Sequence, residues 1–150
     1  MIPKELSITN IKDTYQKLFP HVIKTPLIKG WKPINDILKT NTFFKMEFLQ
    51  NAGTFKARGA TNNVLNLTEK QKKFGITAVS AGNHAIASAY VANKFKLKNK
   101  IFMYNSANDF RIQKCKDLNA NLNFTDPYNA FKEVEIASKE DGYFFIHPFD

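Results

Sequence analysis

Four short apolar runs punctuate the second half of the chain: Ile76–Val79, Ile101–Tyr104, Leu122–Phe124 and Tyr143–Ile146. Helix-like segments fill the gaps, at Asn83–Phe95, Ala107–Leu118 and Pro127–Glu140. Parallel neighbours in a sheet need a long crossover connection, usually a helix. Strand, helix, strand at this interval therefore predicts parallel βαβ units with right-handed crossovers. The runs do not alternate apolar and polar residues, as expected for strands covered on both faces. The last helix-like segment is well punctuated, with Asp126 as N-cap, Pro127 in the first turn and Gly142 just past the end. The fold class that follows is α/β, an open parallel sheet flanked by helices.

The first fifty residues read differently. Ile8, Ile11, Tyr15, Leu18 and Phe19 recur at helical spacing ahead of Pro20. Thr25-Pro26-Leu27 must be extended or a turn, because the residue before proline avoids the helical region. Ile34 to Leu38 suits a short helix, and Thr42–Leu49 reads as a strand with a partly buried face. Ala57, Ala60, Val64 and Leu67 then form one stripe of a helix.

Between that strand and that helix lies Gly53-Thr54-Phe55-Lys56-Ala57-Arg58-Gly59-Ala60. Lys56 stands between a phenylalanine and an alanine, with glycines three residues away on either side. Glycine permits close backbone approach to a bound group. An apolar setting at a helix N-terminus disfavours an ammonium, which suits a lysine acting as a nucleophilic amine able to form a Schiff base. A solvated lysine at the start of a helix satisfies the same eight residues.

A second constellation, Ser80-Ala81-Gly82-Asn83-His84, follows a predicted strand and opens a helix. In open parallel sheets, ligands bind at the carboxyl ends of strands, where helix N-termini point. Ser80, Gly82 and the amides after them can cradle a small anion such as a carboxylate. Asn83 both donates and accepts. The plain alternative is an N-cap with a glycine for the tight turn, and a partly buried structural role for His84. Neither a GxGxxG fingerprint, a phosphate-binding GKS or GKT loop nor a serine-hydrolase elbow is present.

The net charge of +9 raises the question of nucleic acid. Lysine supplies nearly all of it; Arg58 and Arg111 are the only arginines, and the lysines are dispersed. Readers of phosphates and bases cluster arginine among aromatics, so no nucleic-acid partner is expected. Cys115, alone of its kind, falls in a predicted helix and excludes an internal disulfide and a cysteine zinc site. His21, His84 and His147 show no metal-ligand spacing, so no metal is expected. Met1–Glu5 has no apolar run behind it, and no run approaches membrane-spanning length. The expectation is a cytoplasmic protein without a membrane partner.

Taken in order, Thr25-Pro26-Leu27, Lys45-Met46-Glu47-Phe48-Leu49-Gln50, the Lys56 octapeptide, Ser80–Ala85 and Ile146-His147-Pro148-Phe149-Asp150 resemble the pyridoxal-phosphate-dependent threonine/serine dehydratases. That group includes serine racemases and shares fold type II with tryptophan synthase β chains. The resemblance implies pyridoxal 5'-phosphate held by Lys56 beside Phe55, with Asn83 on its ring hydroxyl. It implies that the turn of Ser80, Ala81, Gly82, Asn83 and His84 receives the carboxylate of a small amino acid. Lys56 would be the catalytic base in eliminating water and ammonia from L-threonine or L-serine, leaving a 2-oxo acid. The racemase branch commonly carries a second serine where Ala81 stands, and alanine moves no proton, which favours elimination.

Departures from the family pattern are Thr54 for serine, Tyr104 and Asn108 for prolines, and Asn119 for glycine. The resemblance also implies a division, with residues 1–50 the first piece of a larger domain and residues 51–150 a small βαβ domain. The rest of the larger domain, with its glycine-rich phosphate loop, is expected to lie beyond this stretch or in a separately encoded half. The expectation is therefore weak or no activity for these 150 residues alone, apolar surface left bare, and a homo-oligomer for the full-length family. The alternatives are a non-catalytic remnant or interaction module keeping the fold, and a serine racemase-like enzyme.

Overall fold

The computed structural model describes residues 7–149; Met1–Glu5 and the Asp150 that ends the last motif lie outside them. The sheet forms where the apolar rhythm places it. Its strands are β3 (Ile76–Val79), β4 (Asn99–Tyr104), β5 (Leu122–Thr125) and β6 (Phe144–Phe145), numbered after two N-terminal strands described below. All pairings are parallel, in the order β5-β4-β3-β6. Ala78 lies opposite Ile101, and Met103 opposite Phe124.

Helices cover both faces, and the period-two alternation of a strand decides which side chain meets which helix. Ile76, Ile101 and Met103 point to the side of α5 (Asn83–Lys94), where they join Ala85, Ala89, Val91 and Cys115. Cys115 comes from α6 (Asp109–Asp117), packed beside α5. Val79 and Phe102 point to the other side, onto Ala130, Val134 and Ala137 of α7 (Ala130–Lys139). Behind α5 lies α3 (Lys56–Leu65), the helix most extensively packed against it. Small residues at Ala57, Ala60, Ala85, Ala89 and Ala92 let the helices approach closely. The expected class, α/β with an open parallel sheet flanked by helices, is the one observed.

The N-terminal layer consists of α1 (Ile8–Leu18), α2 (Lys32–Leu38) and an antiparallel pair, β1 (Leu27–Lys29) with β2 (Phe43–Lys45). The predicted amphipathic helix forms, yet of its stripe only Leu18 is buried. The predicted strand Thr42–Leu49 is shorter than its apolar run suggests. After Lys45 the backbone turns at Met46 into a single 3-10 turn, Glu47–Leu49, because the Glu47 carboxylate is drawn to Arg58 and Thr25. Apolar side chains of residues 8–55 stand bare, as expected, including Ile8, Ile11, Trp31, Phe43 and Phe48.

Three local readings change. A helix absent from the sequence reading, α4 (Glu69–Phe74), is started by a reciprocal capping box between Thr68 and Gln71. The helix α7 starts at Ala130, not Pro127. Asp126 accepts from the amides of Tyr128 (2.9 Å) and Asn129 (3.1 Å), making a turn ahead of the helix that contains Pro127. Asn119 sits at φ +57°, so the left-handed conformation is kept by a residue that tolerates it. Among the described residues, no helix is long and apolar enough to cross a membrane. Among them too, no group of His, Cys, Asp or Glu could hold a metal ion.

Candidate active site

The lysine loop is shaped by two consecutive left-handed residues, Ala52 (φ +61°) and Gly53 (φ +68°). Thr54 follows in extended form, buried, and its hydroxyl accepts from the Lys56 amide at 3.2 Å. The helix α3 begins at Lys56. Because Ala57, Ala60, Thr61 and Val64 are the buried positions, Lys56, Gly59 and Asn63 are left on the flank beside Ala60. They wall a cavity of about 190 Å³ whose other walls include Phe55, His84 and Ile146–Phe149. The Lys56 ammonium donates to the Pro148 carbonyl and lies 5.5 Å from the ring centroids of Phe55 and Phe149. A Cβ added at Gly59 would meet nothing within 4 Å, so the glycine leaves open space beside the lysine.

The second motif forms the turn that the sequence suggests. Val79 ends β3, and Asn83 opens α5 without a side-chain cap. The Ser80 hydroxyl accepts from the Gly82 amide at 3.0 Å, so the turn is braced from within. No acidic residue occupies the first turn of α5, and its N-terminus favours an anion. His84 is buried, with Nε2 2.9 Å from the Ile146 carbonyl oxygen. A carbonyl only accepts, so Nε2 carries the proton. Burial holds the His84 pKa below the usual imidazole value; the hydrogen bond to Ile146 opposes it, and the charge of Lys56 adds to it.

Asn83 does not share the Lys56 cavity. It lines a neighbouring groove of about 470 Å³ with Gly53, Arg111 and Lys114. Arg111 Nη1 donates to the Ala81 carbonyl at 3.4 Å, and lies 3.4 Å from where a Cβ on Gly82 would sit. Lys114 Nζ lies 3.6 Å from the corresponding point on Gly53. The groove thus runs between the two motifs, bears two cations and has no carboxylate on its walls. Neither cation was singled out as a site residue by the sequence. They sit three residues apart on α6, and only the fold brings that helix to the turn.

The sequence reading also passed over the contacts behind the lysine loop. Glu47 accepts from Arg58 Nε (2.8 Å), Arg58 Nη2 (2.7 Å) and the Thr25 hydroxyl (2.5 Å). Lys45 Nζ donates to the Thr25 carbonyl at 2.7 Å. Gln50 exchanges two hydrogen bonds with the backbone of Ile23, at 2.9 and 2.8 Å. The Arg58 hydrogen bonds, the largest influence, hold the Glu47 carboxyl below the ordinary carboxylate range, against the opposing effect of burial. Cys115 takes no part in any of this; burial pushes its thiol up to about 11.

A primary amine at a cavity wall, aromatic rings beside it, an open glycine face and an adjacent anion-favouring turn form a donor set that fits pyridoxal phosphate. Comparisons with known proteins concern the chain as a whole. A phenylserine dehydratase of Ralstonia pickettii is 42% identical over 108 residues, 71% of this chain and 33% of that protein. A catabolic L-threonine dehydratase of Staphylococcus aureus is 36% identical over 152 aligned positions, 97% of this chain and 42% of that protein. Maize serine racemase superposes with a TM-score of 0.88 at 27% identity, over 96% of this chain and 44% of that one. The processed form of threonine deaminase isoform 2 from Solanum lycopersicum gives 0.78 at 26% identity, over 93% and 43%. The chain spans less than half the length of these relatives. Residues 18–150 match the family described as pyridoxal-phosphate dependent enzyme, and to that family the chain belongs.

Proposed function

We propose that this chain carries the lysine-bearing part of a catalyst that eliminates water and ammonia from L-threonine or L-serine. The observation that supports it most is the Lys56 amine, placed on a cavity wall that the first turn of α5 completes through His84. In this reading, residues 1–50 belong to a larger domain and residues 51–150 form the small βαβ domain. Pyridoxal phosphate, when bound, supplies an electron sink that acidifies the Cα–H of an attached amino acid. Lys56 would hold that group through its amine, and the amine, once the substrate's own amine has displaced it, would be free to take the Cα proton. Phe55 lies beside the amine, 5.5 Å from ring centroid to nitrogen. Asn83, at the edge of the adjoining groove, offers a donor to the cofactor's ring oxygen. The turn from Ser80 to His84 receives the substrate carboxylate, and Arg111 and Lys114 add a positive field there. Ala81 has no proton to move, which separates this chain from a two-base racemase.

Purified chain incubated with pyridoxal phosphate is expected to acquire a protein-bound visible absorbance that Lys56→Ala abolishes. Production of 2-oxobutanoate from threonine is expected to be weak or nil for these residues alone. The phosphate cradle of the cofactor is not among the groups described, and a ligand held by fewer contacts binds less tightly. An absorbance that survives Lys56→Ala unchanged overturns the assignment of Lys56. The bare apolar side chains of residues 8–55 favour a second reading, an interaction module that keeps the fold without the reaction. A chain that shows no bound absorbance at any cofactor concentration supports that reading instead.

A further inference from the structure

We propose that Glu47 and Arg58 are positioning residues that set the direction of the Lys56 amine, acting as a polar clasp on the far side of α3. The inference rests on Lys56 being the cofactor-holding amine, and adds what aims it.

Lys56 and Arg58 are two residues apart on a helix, which separates their directions by about 200°. Lys56 faces the cavity, and Arg58 faces the N-terminal layer. There the guanidinium meets Glu47 through two hydrogen bonds, at 2.8 and 2.7 Å. A fork on a carboxylate fixes orientation as well as distance. Glu47 is itself held by the Thr25 hydroxyl at 2.5 Å, and Arg58 Nη2 also reaches the Ile23 carbonyl at 3.1 Å. Two segments distant in sequence, one at Ile23 and Thr25 and one at Glu47, are thereby tied to the first turn of the helix that carries the lysine.

The rest of that turn holds its rotation weakly. Phe55, at the N-cap position, makes no side-chain cap, and the Thr54 hydroxyl supplies a single longer bond instead, to the Lys56 amide at 3.2 Å. The core contacts of the turn come from Ala57 and Ala60, side chains without the bulk to resist a few degrees of roll. On the cavity side Gly59 has open space around it. A roll confined to this first turn would swing the Lys56 amine across the cavity, while Thr61 and Val64, buried further along, hold the rest of α3 against α5. The clasp, on the opposite side of the axis, opposes that roll. The Glu47 and Arg58 side chains are only 19% and 26% exposed, so solvent screens the pair little.

The test is reductive trapping with borohydride of pyridoxal phosphate on Lys56, read as the mass of the Lys56 peptide against time. Glu47→Gln and Arg58→Lys are compared with the parent chain, each shown folded by circular dichroism at the assay temperature. Leu18→Ala serves as a second comparison, because it weakens the same layer without touching the clasp. The clasp predicts trapping slower by roughly ten- to a hundredfold in both clasp variants, the scale of an ångström of misplacement. Leu18→Ala should trap at the parent rate despite a lower Tm. Parent rates in Glu47→Gln and Arg58→Lys, or an equal slowing by Leu18→Ala, overturn the clasp alone. A parent chain labelled elsewhere and never at Lys56 overturns the cofactor reading and the clasp together.

Discussion

In β3 every side chain is buried, and α5 buries eight of its twelve. In α1 only Leu18 is buried, while β1 exposes all three of its residues. Both regions are rich in large apolar groups, so hydrophobicity alone does not separate them. What separates them is what they pack against. The parallel sheet meets helices on two faces, and its alternating side chains each find a partner. The N-terminal layer meets the rest of the molecule along α3 and, through His21, at the end of α5, and keeps its place largely through polar contacts at Glu47, Arg58, Thr25 and Lys94. One region is organised by apolar burial, the other by a few directional bonds.

That contrast can be broken or sharpened by substitution. The largest stability effect is expected at Ile101, fully buried at the centre of the sheet. Ile101→Ala should cost about 2–5 kcal/mol through lost transfer and a residual cavity, read by urea unfolding. Next comes Glu47→Ala, which strands a partly buried guanidinium and should cost about 2–3 kcal/mol. If it instead costs less than Ile11→Ala, the polar account of the N-terminal layer fails.

The same layer should respond to pH. The folded Glu47 pKa is depressed, so its contribution is complete above the ordinary glutamate value of 4.5 and is lost as pH falls through the lower folded value. His84 is depressed too, and a buried neutral imidazole disfavours the folded state once the unfolded chain can protonate. Stability should therefore begin to fall below 6.5 and fall further below 4.5, with His84→Gln removing the first step only.

Smaller still is Ser88→Ala. The Ser88 hydroxyl is fully buried on α5 and has no hydrogen-bond partner among the described residues. Its removal should be neutral or stabilising by up to about 1 kcal/mol in thermal unfolding. Ile11→Ala on the exposed face of α1 should stay within about 0.5 kcal/mol. A larger loss would mean that this face is covered in solution.

The parallel sheet was legible because its signal is local. Apolar runs such as Ile76–Val79 and Ile101–Tyr104 announce strands through composition over a few residues. The capping box at Thr68 and Gln71 was equally local, and a helix there was open to reading. Thr42–Leu49 misled because its apolar run continues past Lys45, whereas the chain turns to bring Glu47 to a partner eleven residues on. Asp126 was read as the N-cap of the last helix, yet it closes a turn one step earlier, because which amides it takes depends on where the first turn of α7 settles.

In the candidate site, the two motifs could be read as strings, and their proximity could not. His84 joins the Lys56 cavity while its neighbour Asn83 faces a different groove, a division set by the 100° step between adjacent helical residues. Arg111 and Lys114 carried no motif, and the motif from Ile146 to Asp150 gave no sign that the Pro148 carbonyl would meet Lys56. Their relevance comes only from where the crossovers deliver them.

The amino-acid order by itself determined the strands of the parallel sheet, most helices, the parallel class and the lysine at a helix start, because these depend on neighbours within a few residues. Tertiary structure alone decided that Glu47 grips Arg58 behind the lysine, and that Arg111 covers the turn at Gly82. Those contacts join residues eleven and more than twenty-five positions apart. Their partners are chosen by how helices pack on a twisted sheet, a condition that no local pattern encodes.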